Sequence, residues 1–68
     1  MLNANLLRAA MAAVGYNQKL LAEAINMPEG TMSRKIRTGM FYIDEACEIC
    51  DVLGIKDPKD IFFAHAVN

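Results

Sequence analysis

The fold of this chain is decided by residues 18–39, which read QKLLAEAINMPEGTMSRKIRTG. Two short helical patterns meet here, and only Asn26 and Met27 separate them. The second pattern starts at Pro28, whose fixed φ suits the first turn of a helix. Helices joined by so short a turn must pack closely, and Ala22 supplies the small residue that this contact requires. The corner requires a residue that tolerates positive φ, as Asn26 does. Four apolar residues have the spacing needed to hold both helices on a core: Leu21, Ile25, Met27 and Met32.

Outward from this stretch, the apolar periodicity remains helical and predicts an all-α chain, a compact bundle of about five short helices. The predicted helices cover residues 5–14, the segment from the N-cap Asn17 to the corner, residues 28–37, residues 43–53, and a short segment after Asp57 and Pro58. Glycines at positions 15, 39 and 54 are expected to end three of them. The predicted inward-facing residues of the flanking helices are Leu7, Ala10, Met11, Val14, Ala46, Ile49, Cys50 and Leu53, and the apolar residues of the last segment are Ile61, Phe62 and Phe63.

The chain has 68 residues, 54% of them hydrophobic, which is enough for one small core and predicts a single domain over residues 1–68. Its net charge of −1 is unevenly distributed. Residues 16–40 carry four basic and two acidic side chains, whereas residues 41–68 carry two basic and six acidic ones. The middle segment is therefore suited to face phosphate and the C-terminal segment is not. With neither a bilayer-spanning apolar run nor a signal-peptide pattern, we expect a cytoplasmic protein without a membrane partner.

Residues 18–39 resemble the helix-turn-helix of the phage repressor and Cro family, also called the Xre family. The resemblance covers about residues 5–63 and includes Asp44-Glu-Ala and Val52-Leu-Gly-Ile55, which look like the fourth helix of the family and its exit. Details such as Ser33-Arg-Lys-Ile36 are most similar to small regulators of phages and integrated elements in Gram-positive bacteria. The chain departs from the family pattern at Asn26, where glycine is usual, and at Pro28, where Ser or Thr usually caps the helix.

The resemblance implies a lambda-repressor-like domain that binds double-stranded operator DNA sequence-specifically. By this resemblance Gln18 contacts a phosphate, and Glu29, Gly30 and Arg34 lie where side chains reach base edges. The positions where phosphate contacts are common hold Thr31, Ser33, Lys35 and Arg37. The chemistry suits Arg34 best, because a guanidinium can pair with guanine in the major groove through two hydrogen bonds.

Simpler interpretations stand beside these roles. Arg34, Lys35 and Arg37 also fit a solvated helix face, and Glu29 fits a first-turn acid favoured by the helix dipole. Phe41 and Tyr42 are expected to hold the loop after the third helix, with a phosphate contact from the tyrosine hydroxyl as the alternative. The acids of the fourth helix are expected to form a solvated face turned away from DNA: Asp44, Glu45, Glu48 and Asp51.

Catalytic and metal chemistry find little support in the sequence. Cys47 and Cys50 form a C-x-x-C inside a helical pattern, and with His65 as the only histidine they are expected to be ordinary thiols. There is no pair of carboxylates at useful spacing, no Cys-His arrangement and no glycine-rich phosphate loop. We therefore expect neither an enzyme nor a bound cofactor or metal. The competing hypothesis is an antirepressor or modulator of the same fold that binds a partner repressor.

The apolar C-terminal end predicts self-association. One helix-turn-helix offers too few contacts for tight operator binding, whereas a homodimer doubles them. A helix cannot bury three consecutive large apolar residues, so either Phe62 or Phe63 is expected to lie outward at the centre of a dimer surface. That surface is expected to include Ile61, Phe62, Phe63, Ala64, Ala66 and Val67.

Overall fold

The structure, a computed structural model, describes residues 2–62. Within these residues it is all-helical, with α1 at Ala4–Ala13, α2 at Gln18–Ala24, α3 at Glu29–Thr38, α4 at Ile43–Leu53 and α5 at Lys59–Phe62. The predicted all-α fold of short helices is confirmed. None of the helices in this part of the chain is long and apolar enough to cross a membrane.

The helix ends follow local side-chain chemistry. The Asn3 side chain accepts a hydrogen bond from the Leu6 N–H at 3.1 Å, and the Asn17 side chain accepts one from the Leu20 N–H at 2.8 Å. These asparagines satisfy amide groups that a helix start leaves without intrahelical partners. At the other ends, Gly39 has a φ of 75° and terminates α3 in the left-handed conformation that glycine adopts without a Cβ clash.

All five helices contribute to one core. Its largest fully buried side chains are Leu7 from α1, Leu21 from α2, Met32 from α3 and Ile49 from α4. The remaining buried residues are Met11, Ala22, Ile36, Ala46, Cys50, Leu53, Ile61 and Phe62. Ala22 is the small residue at the closely packed α2–α3 pair, as the sequence predicts.

The corner between α2 and α3 is left-handed at Asn26, which has a φ of 59° and is the one non-glycine residue with positive φ among residues 2–62. This prediction is confirmed. The Met27 N–H donates to the Ala22 carbonyl at 2.8 Å and fixes the turn. Pro28, however, does not begin the helix as predicted. It is the N-cap, with a ψ of 141°, and Glu29 is the first helical residue. The ring fixes φ but leaves ψ free, so proline suits either position.

Four residues predicted to face inward are less buried than expected. Val14 is 45% exposed because α1 ends at Ala13 and the chain turns away at this position. The other three pack only partly against the core: Ala10, Ile25 and Met27. At the C-terminal end, Ile61 and Phe62 are both buried in their own chain, at 6% and 5% exposed. Phe62 is therefore not the outward member of the pair, and the other candidate, Phe63, lies outside the described residues, as does His65.

The two ends of the described chain meet. The Asn3 N–H donates to the Ile61 carbonyl at 2.6 Å, and Asp57 supports the start of α5 by accepting from the Lys59 N–H at 3.0 Å. The Leu2 side chain lies against Gly39, 3.5 Å from where a Cβ would stand. These contacts join the N-terminal end of the described chain to α5 and to the end of α3.

Candidate nucleic-acid interface

The α2–α3 pair presents one face of α3 away from the core. Met32 and Ile36 are the buried residues of α3, so the opposite face, centred on Arg34, points outward. Glu29, Gly30, Arg34 and Arg37 are exposed, whereas Thr31 and Ser33 are half-buried on the flanks. Gly30, Arg34 and Arg37 thus lie on one accessible face of α3, whereas Glu29 is exposed at the start of the helix, about 140° from Arg34 around its axis.

The structure of the free protein does not require a glycine at position 30. Its φ does not lie in the left-handed region, and a Cβ built on it meets nothing within 4 Å. Because glycine weakens a helix by up to about 1 kcal/mol relative to alanine, local stability does not favour it here. Because Gly30 has no side chain, the backbone of α3 is accessible at this position on the exposed face of the helix.

Lys35 is turned to the side of α3. Its ammonium pairs with Glu45 Oε1 of α4 at 3.0 Å and lies 4.5 Å from the centre of the Tyr42 ring. The two charged side chains are only 15% and 20% exposed. The Glu45 carboxylate also accepts from the Tyr42 N–H at 2.9 Å, at the start of α4. Lys35 therefore braces α3 against α4, and the phosphate role implied for it stays a prediction.

This ion pair corrects the expectation that the acids of α4 form one solvated face. Glu45 is partly buried and bound, whereas Asp44, Glu48 and Asp51 are exposed. The loop before α4 behaves as predicted at Phe41, whose ring meets Phe62 edge to face at 5.5 Å and ties the loop to α5. Tyr42 is 71% exposed and covers Lys35 with one face.

Gln18, the first residue of α2, is half-buried beside a cleft that the sequence analysis missed. The cleft has a volume of about 260 Å³ and joins α1, α2 and α3. It is lined by Arg8, Met11, Ala12, Tyr16, Gln18 and Ile36. The one available signal was that Arg8 is the only charged residue in the first fifteen, but periodicity does not tell which helix its side chain approaches.

The cysteines form no disulfide. Cys47 is exposed and Cys50 is buried, and both are free thiols. Burial raises the pKa of the Cys50 thiol, with smaller contributions from electrostatic repulsion by the neighbouring Cys47, Asp51 and Asp57 side chains. Over residues 2–62 no three His, Cys, Asp or Glu side chains come together as a metal site would require. Cys50 belongs to the core in this structure.

Two short helices at a left-handed corner, the second with a basic outward face, define a helix-turn-helix protein of the DNA-binding class. The model of the Cro/C1-type helix-turn-helix DNA-binding domain matches residues 6–64, and the chain belongs to this family. The predicted family, and with it DNA as a partner, is confirmed. No curated protein and no solved structure gives a significant match to the chain.

Proposed function

We propose that the chain is a transcription regulator that binds double-stranded operator DNA sequence-specifically as a homodimer, with α3 in the major groove. The observation that carries the proposal is the outward face of α3, on which Arg34 and Arg37 are exposed beside the bare backbone at Gly30. A helix that enters the major groove needs such a face, because base edges are read there by side chains that protrude and by backbone that approaches closely.

Each residue takes a role suited to its chemistry. Arg34 pairs with guanine O6 and N7, and Glu29 accepts from a cytosine amino group. Gly30 admits the closest approach of α3 to the bases. The remaining members of the proposed interface hold the phosphates: Gln18, Thr31, Ser33 and Arg37. Lys35 is proposed to contribute mainly as the brace to α4, since its ammonium already binds Glu45.

The homodimer follows from the small number of contacts that one copy offers. Two copies on a two-fold axis place their α3 helices one DNA turn apart, about 34 Å, and double the interface. A groove of about 430 Å³ beside α5 supports self-association there, with Met40, Phe41, Tyr42 and Phe62 among its lining residues. Met40 and Tyr42 are each 71% exposed, and Ile43 is 69% exposed. We propose that this groove and the residues after Phe62 form the contact with the second copy.

The test begins with selection of duplexes from a random library by the wild-type protein, followed by affinity measurements with Arg34→Ala. Arg34→Ala is expected to lose about 1–3 kcal/mol per half-site on the selected sequence and to relax preference at one base pair, a guanine. Lys59→Ala, which removes an exposed positive charge on α5, serves as the matched control. Equal losses on selected and random duplexes would reassign Arg34 to the phosphate backbone.

The same selection separates DNA reading from the competing protein-binding role. An operator recovered as an inverted repeat, with two copies bound in sedimentation experiments, is the result expected for a homodimeric regulator. Failure to enrich any sequence would refute sequence-specific binding and favour the modulator that binds a partner repressor. A monomer bound to one half-site as tightly as to the full site would refute the homodimer.

A further inference from the structure

We propose that the cleft between Arg8 and Gln18 binds a phosphate of the DNA backbone on the flank of α3 that faces away from α4, with Arg8 and Tyr16 joining the phosphate contact already proposed for Gln18. The inference rests on the proposed function, because the ligand is a phosphodiester of the bound duplex. It assigns Arg8 and Tyr16 to DNA binding, neither of which belongs to the helix-turn-helix itself.

The lining of the cleft suits an anion. Its buried floor is apolar, formed by Met11 and Ile36, and its polar groups are contributed by Arg8, Tyr16 and Gln18. A guanidinium, a phenol hydroxyl and a side-chain amide are all hydrogen-bond donors, and the guanidinium matches phosphate oxygens through two parallel hydrogen bonds. The volume of about 260 Å³ is several times the share of one water molecule in the liquid, about 30 Å³.

The charge of Arg8 is available for a ligand. Arg8 is exposed, and the lining of the cleft includes no acidic side chain. Among residues 2–62 the one ion pair joins Lys35 to Glu45. A guanidinium beside an apolar floor, without a carboxylate to neutralise it, attracts a phosphate more strongly than a paired one does.

The position of the cleft relative to α3 agrees with the path of a DNA strand. Successive helix residues are about 100° apart, so Lys35 and Arg37 lie on opposite sides of Ile36. The Lys35 side faces α4 through Glu45. The cleft is lined from α3 by Ile36 and by neither Lys35 nor Arg37, and none of its lining residues belongs to α4. It therefore lies on the side of α3 away from Glu45, which is the side toward which Arg37 is turned. A strand that passes the exposed face of α3 at Arg37 therefore reaches Arg8 and Gln18 next.

The experiment measures the salt dependence of duplex binding for the wild type, Arg8→Ala and Lys56→Ala. Lys56 is an exposed cation in the α4–α5 loop and outside the cleft, so its variant controls for the loss of net charge. Each lost phosphate contact lowers the slope of log K against log salt by about 0.9, equivalent to about a fourfold loss of affinity per subunit at about 0.2 M salt. Arg8→Ala is expected to show this loss on selected and random duplexes alike, and Lys56→Ala is not.

A set of duplexes with single neutral methylphosphonates then locates the contact. For one phosphate per half-site, neutralisation should weaken the wild type about fourfold and leave Arg8→Ala unaffected. The phosphate site alone would be overturned if Arg8→Ala gave the same slope of log K against log salt as Lys56→Ala while the protein still recognised its operator through Arg34. Absence of duplex binding by the wild type would instead overturn the proposed function. Thermal melting of Arg8→Ala, expected to match the wild type, excludes a folding defect.

Discussion

Replacement of Asn26 by valine tests the corner on which the α2–α3 geometry depends. The φ of 59° is tolerated by asparagine, but a β-branched side chain there is strained by about 1–2 kcal/mol. The chain cannot relax this strain freely, because the Met27 N–H donates to the Ala22 carbonyl at 2.8 Å across the corner. Rotation of φ would break that bond, at a cost of about 1 kcal/mol. We therefore expect Asn26→Val to lose about 1–2 kcal/mol of stability.

In a domain of this size each kcal/mol shifts the melting temperature by about 4–8 °C, so Asn26→Val is expected to melt about 4–16 °C below the wild type. Circular dichroism measures the melts. Ala24→Val is the matched control, since it places the same side chain two residues earlier at an ordinary φ and costs at most about 0.7 kcal/mol. The free energy of unfolding of Asn26→Gly is expected to lie within about 0.5 kcal/mol of the wild-type value. Glycine adopts positive φ without strain, but the greater conformational entropy of the unfolded chain offsets this gain. Equal melting of the two valine variants would refute the left-handed corner.

Two further predictions concern the proposed interfaces. Gly30→Ala should raise stability by up to about 1 kcal/mol in thermal melts but weaken operator affinity in anisotropy titrations, since a methyl group would separate α3 from the bases. Unchanged affinity would show that the backbone does not approach closely there. Met40→Asp should leave the fold intact by circular dichroism and shift sedimentation toward the monomer, whereas Phe62→Asp, at a site 5% exposed, should lose more than about 3 kcal/mol and unfold. A Met40→Asp protein that dimerises normally would place the interface elsewhere.

The sequence predicts well where a feature depends on neighbouring residues. Asn17 is recognisable as an N-cap and Asn26 as a left-handed corner, because each conformation is selected by the chemistry of that residue and its short-range hydrogen bonds. The outward position of Arg34 also follows from helical periodicity alone once Met32 and Ile36 are taken as core.

The misses depend on contacts between distant segments. Val14 continues the apolar stripe of α1, but burial requires a neighbour, and none covers it after the helix ends. The ion pair of Lys35 with Glu45 joins two helices across ten positions of sequence, and the grouping of Arg8 with Gln18 joins two more. Periodicity gives the face on which a side chain lies but not the element that comes to meet it.

The hydrogen bond from the Asn3 N–H to the Ile61 carbonyl couples the two ends of the described chain, so that they become ordered or disordered together. A helix of four residues, as α5 is, cannot persist in water alone, so it forms only while docked. Docking closes a loop of nearly the whole described chain, with an entropic cost that rises as the logarithm of its length. The amide proton of Asn3 is held only in the docked state. The rate at which this proton exchanges with solvent deuterium therefore reports how often α5 separates from α1, although Asn3 is far from α5 along the chain.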